Sequence, residues 1–323
     1  VFRSHDLGGR ENAEQRFDAV RRRIGMIAAP VVLAARWFAP TAIPSSGGQR
    51  LLPVMGLVVT LWVTEAIPLP VTALLGPALC VLLGVAGPKE VLRNFADPII
   101  FVFLGSFLIA EAMLTHGLNR RVAIRILGMK FVGSSPTRLL AAFGIITAAI
   151  SMWISNTATT AMMFPIGLAI LTEMAGLQSR RTGRPVSARE LSYGTAMMLM
   201  TAFAASVAGL ATPEGTPPNL IGLGIIREQL NIELPFFHWM VVGAPIAAVM
   251  VAALVVYLPM MCPPEDGLMT GTSEWIRNEQ KEIGRLSAGE RNVLIAFLVT
   301  VVLWMTPGAV AVVGGIDSPA YRW

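Results

Sequence analysis

Residues Leu139 to Met174 constrain this chain more than any others. They read LLAAFGIITAAISMWISNTATTAMMFPIGLAILTEM, two apolar arms around a polar knot, Ser151-Met-Trp-Ile-Ser155-Asn156-Thr157. Each arm is shorter than the ~20 residues that a membrane-spanning helix needs. Positive charge brackets the stretch, with Arg120, Arg121, Arg125, Lys130 and Arg138 before it and Arg180, Arg181, Arg184 and Arg189 after it. Lys and Arg collect on the cytoplasmic side of membrane proteins. If both flanks share that side, the chain enters the bilayer, turns at the knot and leaves by the same face. The expectation is a re-entrant helical hairpin over 139–174. Non-helical backbone persists at membrane depth only where it lines a cavity or is buried in protein. The tip is therefore a candidate binding site.

The rest of the chain agrees with a membrane setting. Only 14% of its 323 residues are charged and 54% are hydrophobic, whereas soluble domains carry about 25% charge. Several separate apolar stretches reach spanning length, so the fold class is an all-α polytopic membrane protein. The short alternating segments of a β-barrel are absent from the sequence. The net charge of +5 sits in loops and at the N-terminus. It reads as a topology signal and gives no reason to expect nucleic acid. Cys80 and Cys262 lie in or at the end of apolar segments and read as reduced packing residues. His5, His116 and His238 are too scattered in sequence to argue for a metal centre.

Helices are expected at 24–40, 51–67, 70–87, 98–118, 191–226, 236–262 and 292–313, besides the hairpin. No cleavable signal peptide is evident, and 1–23 reads as a cytoplasmic N-terminal segment. The chain begins at Val1 and stops at Trp323, and is expected to be a piece at both ends. With a cytoplasmic N-terminus, segments 1–23, 119–138, 175–190 and 263–291 fall inside and hold 19 of the 25 Lys and Arg. A single span through 139–174 would move four arginines to a short outside loop, so the charge bias favours the hairpin.

A second interruption follows. Leu191 to Arg227 is too long for one simple span, and its middle reads Gly209-Leu-Ala-Thr212-Pro213-Glu214-Gly215-Thr216-Pro217-Pro218-Asn219. Three prolines and two glycines in eleven residues must interrupt a helix. A discontinuous transmembrane helix at 191–226 is expected, and such breaks are where transporters hold ions and substrates. Segment 263–291 mixes acids with bases and reads as a solvated cytoplasmic linker. The expected organisation is 24–50 as first helix and loop, 51–262 as one repeat, and 292–323 as the start of a second.

The chemistry of the knot is that of binding. Ser151, Ser155, Asn156 and Thr157 offer neutral oxygens and an amide, with no group suited to acid–base catalysis. Oxygens and helix C-terminal carbonyls suit a hard cation such as Na⁺. The free N–H groups that begin the second arm at Thr157 suit an anion. Glu214, in the broken helix, could join a cation site, titrate or face water. Glu65 reads as structural, and Glu111 needs a partner within its span. An enzyme would need a titratable cluster at depth, and the acids are dispersed.

The run Ser151-Met-Trp-Ile-Ser155-Asn156-Thr157-Ala-Thr-Thr-Ala-Met-Met resembles the Ser-Asn-Thr hairpin signature of the divalent anion:sodium symporter (DASS, INDY-like) family. Thr64-Glu-Ala-Ile-Pro68, Phe95-Ala-Asp-Pro98-Ile-Ile-Phe-Val-Phe-Leu-Gly105 and Gly215-Thr-Pro-Pro-Asn219 agree with it in type and order. The resemblance implies an inverted-repeat fold, a homodimer in the cell (inner) membrane, and elevator-like movement. It implies Na⁺-coupled symport of di- or tricarboxylates, with a sulfate-like oxyanion transporter or an H⁺-coupled exchanger as the alternative. It implies Na⁺ at Ser151, Ser155, Asn156 and Gly215, and substrate at Asn156 and Thr157. Thr212, Glu214, Thr216 and Asn219 are further candidates. The family carries a second Ser-Asn-Thr hairpin, so this chain is expected to hold half a site. Glu214 stands where the resemblance implies a neutral residue.

Overall fold

The computed structural model describes residues 4–40, 43–129, 131–232, 234–265 and 272–314. Residues 1–3, Lys130, linker residues 266–271 and 315–323 lie outside the described residues, as do the side chains of His5, Arg10, Glu274 and Arg277. The chain is all-α, and its contacts divide it into residues 1–100 and 101–323.

The first unit holds α1 (Ser4–Phe38), α2 (Ser46–Thr64), α3 (Leu69–Leu82) and the short α4 (Pro88–Arg93). The helix expected at 24–40 begins twenty residues earlier, at Ser4. α1 and α2 pack closely because Gly25 lies against Thr64 and Gly56 against Val32, leaving no room for a Cβ. Ala29, Leu57 and Leu61 form the buried seam. Glu65 ends α2 in the left-handed region (φ 46°), and its carboxylate accepts from Arg21 at 2.8 Å. That pairing agrees with its structural reading.

The second unit holds α5 (Pro98–Thr115), α6 (Leu118–Leu127), α7 (Pro136–Ser151), α8 (Asn156–Thr182), α9 (Ser192–Ala208), α10 (Pro217–Leu230), α11 (Phe236–Met261), α12 (Thr272–Glu282) and α13 (Ala288–Gly314). α9 is the centre, packed against α7, α8 and α11. Phe143, Met163, Ile170 and Met174 are buried around it, with its own Met197 and Met200. Gly144 lets Met200 approach α7, and Tyr193 donates to the Pro136 carbonyl at 2.8 Å. Outward faces stay apolar, as at Val242, Val249, Val256 and Met260 of α11. Surface of that kind belongs against lipid.

Three described helices are long and apolar enough to cross a membrane: α8, α11, and α13 through Thr306. α5 and α6, bent by 62°, make a fourth if taken as one span. α3 has 14 residues and falls short of the span expected at 70–87. The stretch expected as a hairpin forms two helices, α7 and α8, around a four-residue tip. Its arms are unequal: α7 has 16 residues, but α8 runs 27 residues through Arg180 and Arg181 and is not the short arm expected. Basic residues in its last turn favour the helix C-terminus and prolong it past the apolar run.

Two further differences concern the segments read as cytoplasmic loops. Residues 118–127 form a helix, α6, which buries Leu118, Ala123, Ile124 and Leu127. The linker after α11 is also less solvated than expected. Ile276 is buried, Arg120 pairs with Glu279, and the Ser192 N–H donates to Glu265 at 2.5 Å. An amphipathic segment beside an apolar bundle gains more by covering it than by lying in water.

Candidate functional site

The hairpin tip and the helix break meet in the interior of the second unit. α7 ends at Ser151, which is fully buried, and its hydroxyl donates to the Ala205 carbonyl of α9 at 2.8 Å. Met152, Trp153 and Ile154 turn the chain. Trp153 stacks on Phe236 and meets Phe297 edge-on, with ring centroids 6.2 and 5.7 Å apart. Those aromatic contacts hold the tip without using its polar groups. Ser155 then caps α8 by accepting from the Ala158 N–H at 3.3 Å.

The break runs from Gly209 to Thr216 and contains one 3-10 turn, Pro213–Gly215. Pro217 and Pro218 occupy the first turn of α10, where missing N–H groups cost nothing. Released backbone groups need partners when buried, and side chains supply them. Asn219 Nδ2 donates to the Gly209 and Thr212 carbonyls at 2.7 and 2.8 Å. Trp239 of α11 donates to the Leu210 carbonyl at 2.9 Å. Thr212, fully buried, donates to the Met152 carbonyl and accepts from the Gly215 N–H. Thr212 thus ties the break to the end of α7.

The terminal amide of Asn156 is the meeting point. It faces Ser151 Oγ at 2.8 Å, the Ala205 carbonyl at 2.9 Å and the Gly215 carbonyl at 3.3 Å, and donates to them through its nitrogen. Two glycines make the approach possible. A Cβ on Gly209 would stand 2.7 Å from the Asn156 terminal amide, and one on Gly215 would stand 2.6 Å from the Gly209 carbonyl. Neither glycine has a positive φ, so both are required by space alone.

Of the residues picked from sequence, Ser151, Asn156 and Gly215 come together. Thr212 and Asn219 hold the backbone of the break, and Thr216 stands at the N-cap of α10 without a side-chain cap bond. Ser155 is occupied as a cap, and Thr157 is exposed on the first turn of α8. Glu214 is buried at 7% exposure and accepts from Ser106 of α5 at 2.5 Å, so the reading in which it faces water is overturned. Glu111 is exposed and accepts from Thr115 one turn on. Sequence reasoning missed Ala205, which contributes a carbonyl and has no side-chain signal, and Ser106, one serine in an apolar helix. The acceptors gathered at Asn156 are all oxygens. Such a set fits a hard monovalent cation, provided the amide turns its own oxygen inward.

Comparison with known proteins decides the family. The model of the sodium:sulfate symporter transmembrane region matches residues 21–318. The chain belongs to this family of divalent anion:sodium symporters. It is 35% identical over 290 residues to the sodium-dependent dicarboxylate transporter SdcS of Staphylococcus saprophyticus, an alignment covering 89% of this chain and 55% of the relative. It is 32% identical over 286 residues to SdcS of Staphylococcus aureus strain USA300, covering 88% and 54%. The chain spans about half the length of the curated relatives it matches. As a symporter-family chain it is a multi-pass membrane protein, and the hairpin and break lie within the matched region.

Proposed function

We propose that the chain is the first-repeat half of a Na⁺-coupled secondary transporter for dicarboxylates. The observation that carries this reading is the convergence of Ser151 Oγ and the Ala205 and Gly215 carbonyls on Asn156, at the junction of a helical hairpin and a broken helix. Na⁺ is cargo here, held by Ser151, Asn156, Gly215 and the Ala205 carbonyl. Ser155 shapes the site by starting α8. Thr157 and the N-terminal turn of α8 offer an exposed positive end to one carboxylate of the substrate. Relatives named as sodium-dependent dicarboxylate transporters support the substrate class.

In this reading the hairpin is re-entrant and its flanks are cytoplasmic, as is the N-terminus. A second hairpin completes the substrate site. The whole works as a homodimer in the cell membrane, with its transport element moving against a scaffold like an elevator. The family description names sulfate, which keeps an inorganic oxyanion as the second reading.

The test is uptake of labelled succinate by the full-length protein in proteoliposomes. Na⁺ should drive it, unlabelled succinate should compete, and sulfate should not. Ser151→Ala and Asn156→Ala should each raise the half-saturating Na⁺ concentration by roughly tenfold, the size of one lost ligand interaction. Uptake indifferent to Na⁺, or Na⁺ activation unchanged in both variants, would remove the proposed site. Competition by sulfate alone would shift the reading to the oxyanion.

A further inference from the structure

Glu214 is the one acid in the helix break, and it is buried. A buried carboxyl group is costly unless it is hydrogen-bonded. Its partner is 108 residues away in sequence: Ser106 Oγ of α5, at 2.5 Å from Oε2. Ser106 is itself buried, and its hydroxyl also lies 2.8 Å from the Val102 carbonyl of its own helix. A serine in an apolar helix ordinarily spends its hydroxyl on that carbonyl. Here the same hydroxyl is also the hydrogen-bond partner of an acid in another element.

The consequence lies one residue further on. Glu214 and Gly215 share the single 3-10 turn of the break. The Gly215 carbonyl is one of the oxygens gathered at Asn156, and the Gly215 N–H is held by Thr212 at 3.0 Å. The turn is thus fixed on one side by Thr212 and on the other by Glu214. Gly215 also has no slack, because the Gly209 backbone lies where a Cβ would be. Cutting the Ser106 contact would leave the buried carboxyl group without a hydrogen-bond partner among the described residues, and the turn would relieve that by moving. The Gly215 carbonyl would move with it.

We infer that Ser106 of α5 is a positioning residue for the cation site, acting through Glu214 to place the Gly215 carbonyl. The inference rests on the cation site proposed above. It gives α5 a part in that site although α5 supplies no ligand, and it gives Glu214 a role other than direct coordination. The effect is confined to the cation. Substrate affinity at saturating Na⁺ is untouched, because neither Ser106 nor Glu214 belongs to the Thr157 end of the tip.

The experiment is Na⁺ titration of the melting temperature of the detergent-purified full-length protein, each variant read against its own Na⁺-free baseline. Ser106→Ala, Glu214→Ala and the double variant should all raise the half-saturating Na⁺ concentration by the same roughly three- to tenfold, the size of one lost buried hydrogen bond. Ser106→Thr, which keeps the hydroxyl, should restore the wild-type value. Succinate half-saturation at saturating Na⁺, read by uptake, should not move in Ser106→Ala. An unchanged Na⁺ response in Ser106→Ala overturns the inference. So does a much larger shift in Glu214→Ala than in Ser106→Ala, which would make Glu214 a ligand in its own right. A wild-type protein that Na⁺ does not stabilise removes the cation site, and this inference with it.

Discussion

Two interruptions of apolar helices, the break at Gly209–Thr216 and the bend between α5 and α6, solve the same physical problem differently. The break is buried, so water cannot reach its released carbonyls. Side chains from three elements replace it: Asn219 from α10, Trp239 from α11, and Asn156 from the hairpin. At the bend, Gly117 adopts φ 71° with open space around it. The bend is braced from the far side by one cation. Arg121 donates bidentately to Glu290 of α13, at 2.6 and 2.9 Å, and also to the Ile283, Gly284 and Arg285 carbonyls at 3.0–3.1 Å. The break gathers neutral oxygens that a small ligand can share. The bend commits its Arg121 guanidinium to holding itself, although the Asn119 side-chain oxygen beside it is buried without a hydrogen-bond partner among the described residues. The first is built to bind, and the second is built to stay.

The largest expected effect tests the bend. Arg121 and Glu290 side chains are each 7% exposed, so removing one partner leaves the other buried and unpaired. Arg121→Ala should cost ~3–5 kcal/mol, seen as a large drop in melting temperature. The double variant Arg121→Met, Glu290→Leu should recover much of that, because a buried ion pair can be replaced by apolar packing. If the single variant melts within a degree or two of wild type, the bend is held by something else and the contrast fails.

How much of this was legible in the sequence follows the same division. The break was legible because Pro213, Gly215, Pro217 and Pro218 have one meaning in any apolar segment: no continuous helix. The tip was legible as a turn because the polar run Ser151 to Thr157 interrupts two apolar arms. The bend was not legible. Gly117, followed by Asn119, Arg120, Arg121 and Arg125, read as the end of a span and a loop's topology signal, although Ile124 and Leu127 share a helical face. Glu290 looked like a solvated linker acid because its partner is 169 residues away. The Ala205 carbonyl could not be read at all, since any residue supplies one. Ser106 and Glu214 were each visible, but nothing local pairs them.

A smaller effect sharpens the other side. Asn219 is buried and gives both amide hydrogens to carbonyls of the break. Asn219→Ala leaves the Gly209 and Thr212 carbonyls without that donor and should cost about 2–3 kcal/mol. The loss should reach function, because Gly209 packs on Asn156 and Thr212 holds Gly215. A raised half-saturating Na⁺ concentration should therefore accompany the lower melting temperature. A melting shift with an unaltered Na⁺ response would mean that break and cation site are mechanically separate.

The smallest effect separates two glycines that look alike in sequence. Gly117 needs the left-handed region, which costs a residue with a Cβ about 1–2 kcal/mol, and an added Cβ there meets nothing within 4 Å. Gly117→Ala should therefore lower the melting temperature by a few degrees and leave Na⁺ activation alone. Gly117→Asn should fare better, because asparagine tolerates that region. Gly209 is the reverse case. Its backbone is helical, at φ −56°, so alanine adds no strain, but its Cβ would press on the Asn156 amide at 2.7 Å. Gly209→Ala should change Na⁺ activation more than it changes melting. If Gly117→Ala altered Na⁺ activation, the bend would be coupled to the cation site. The strict division between a binding interruption and a bracing one would then be wrong.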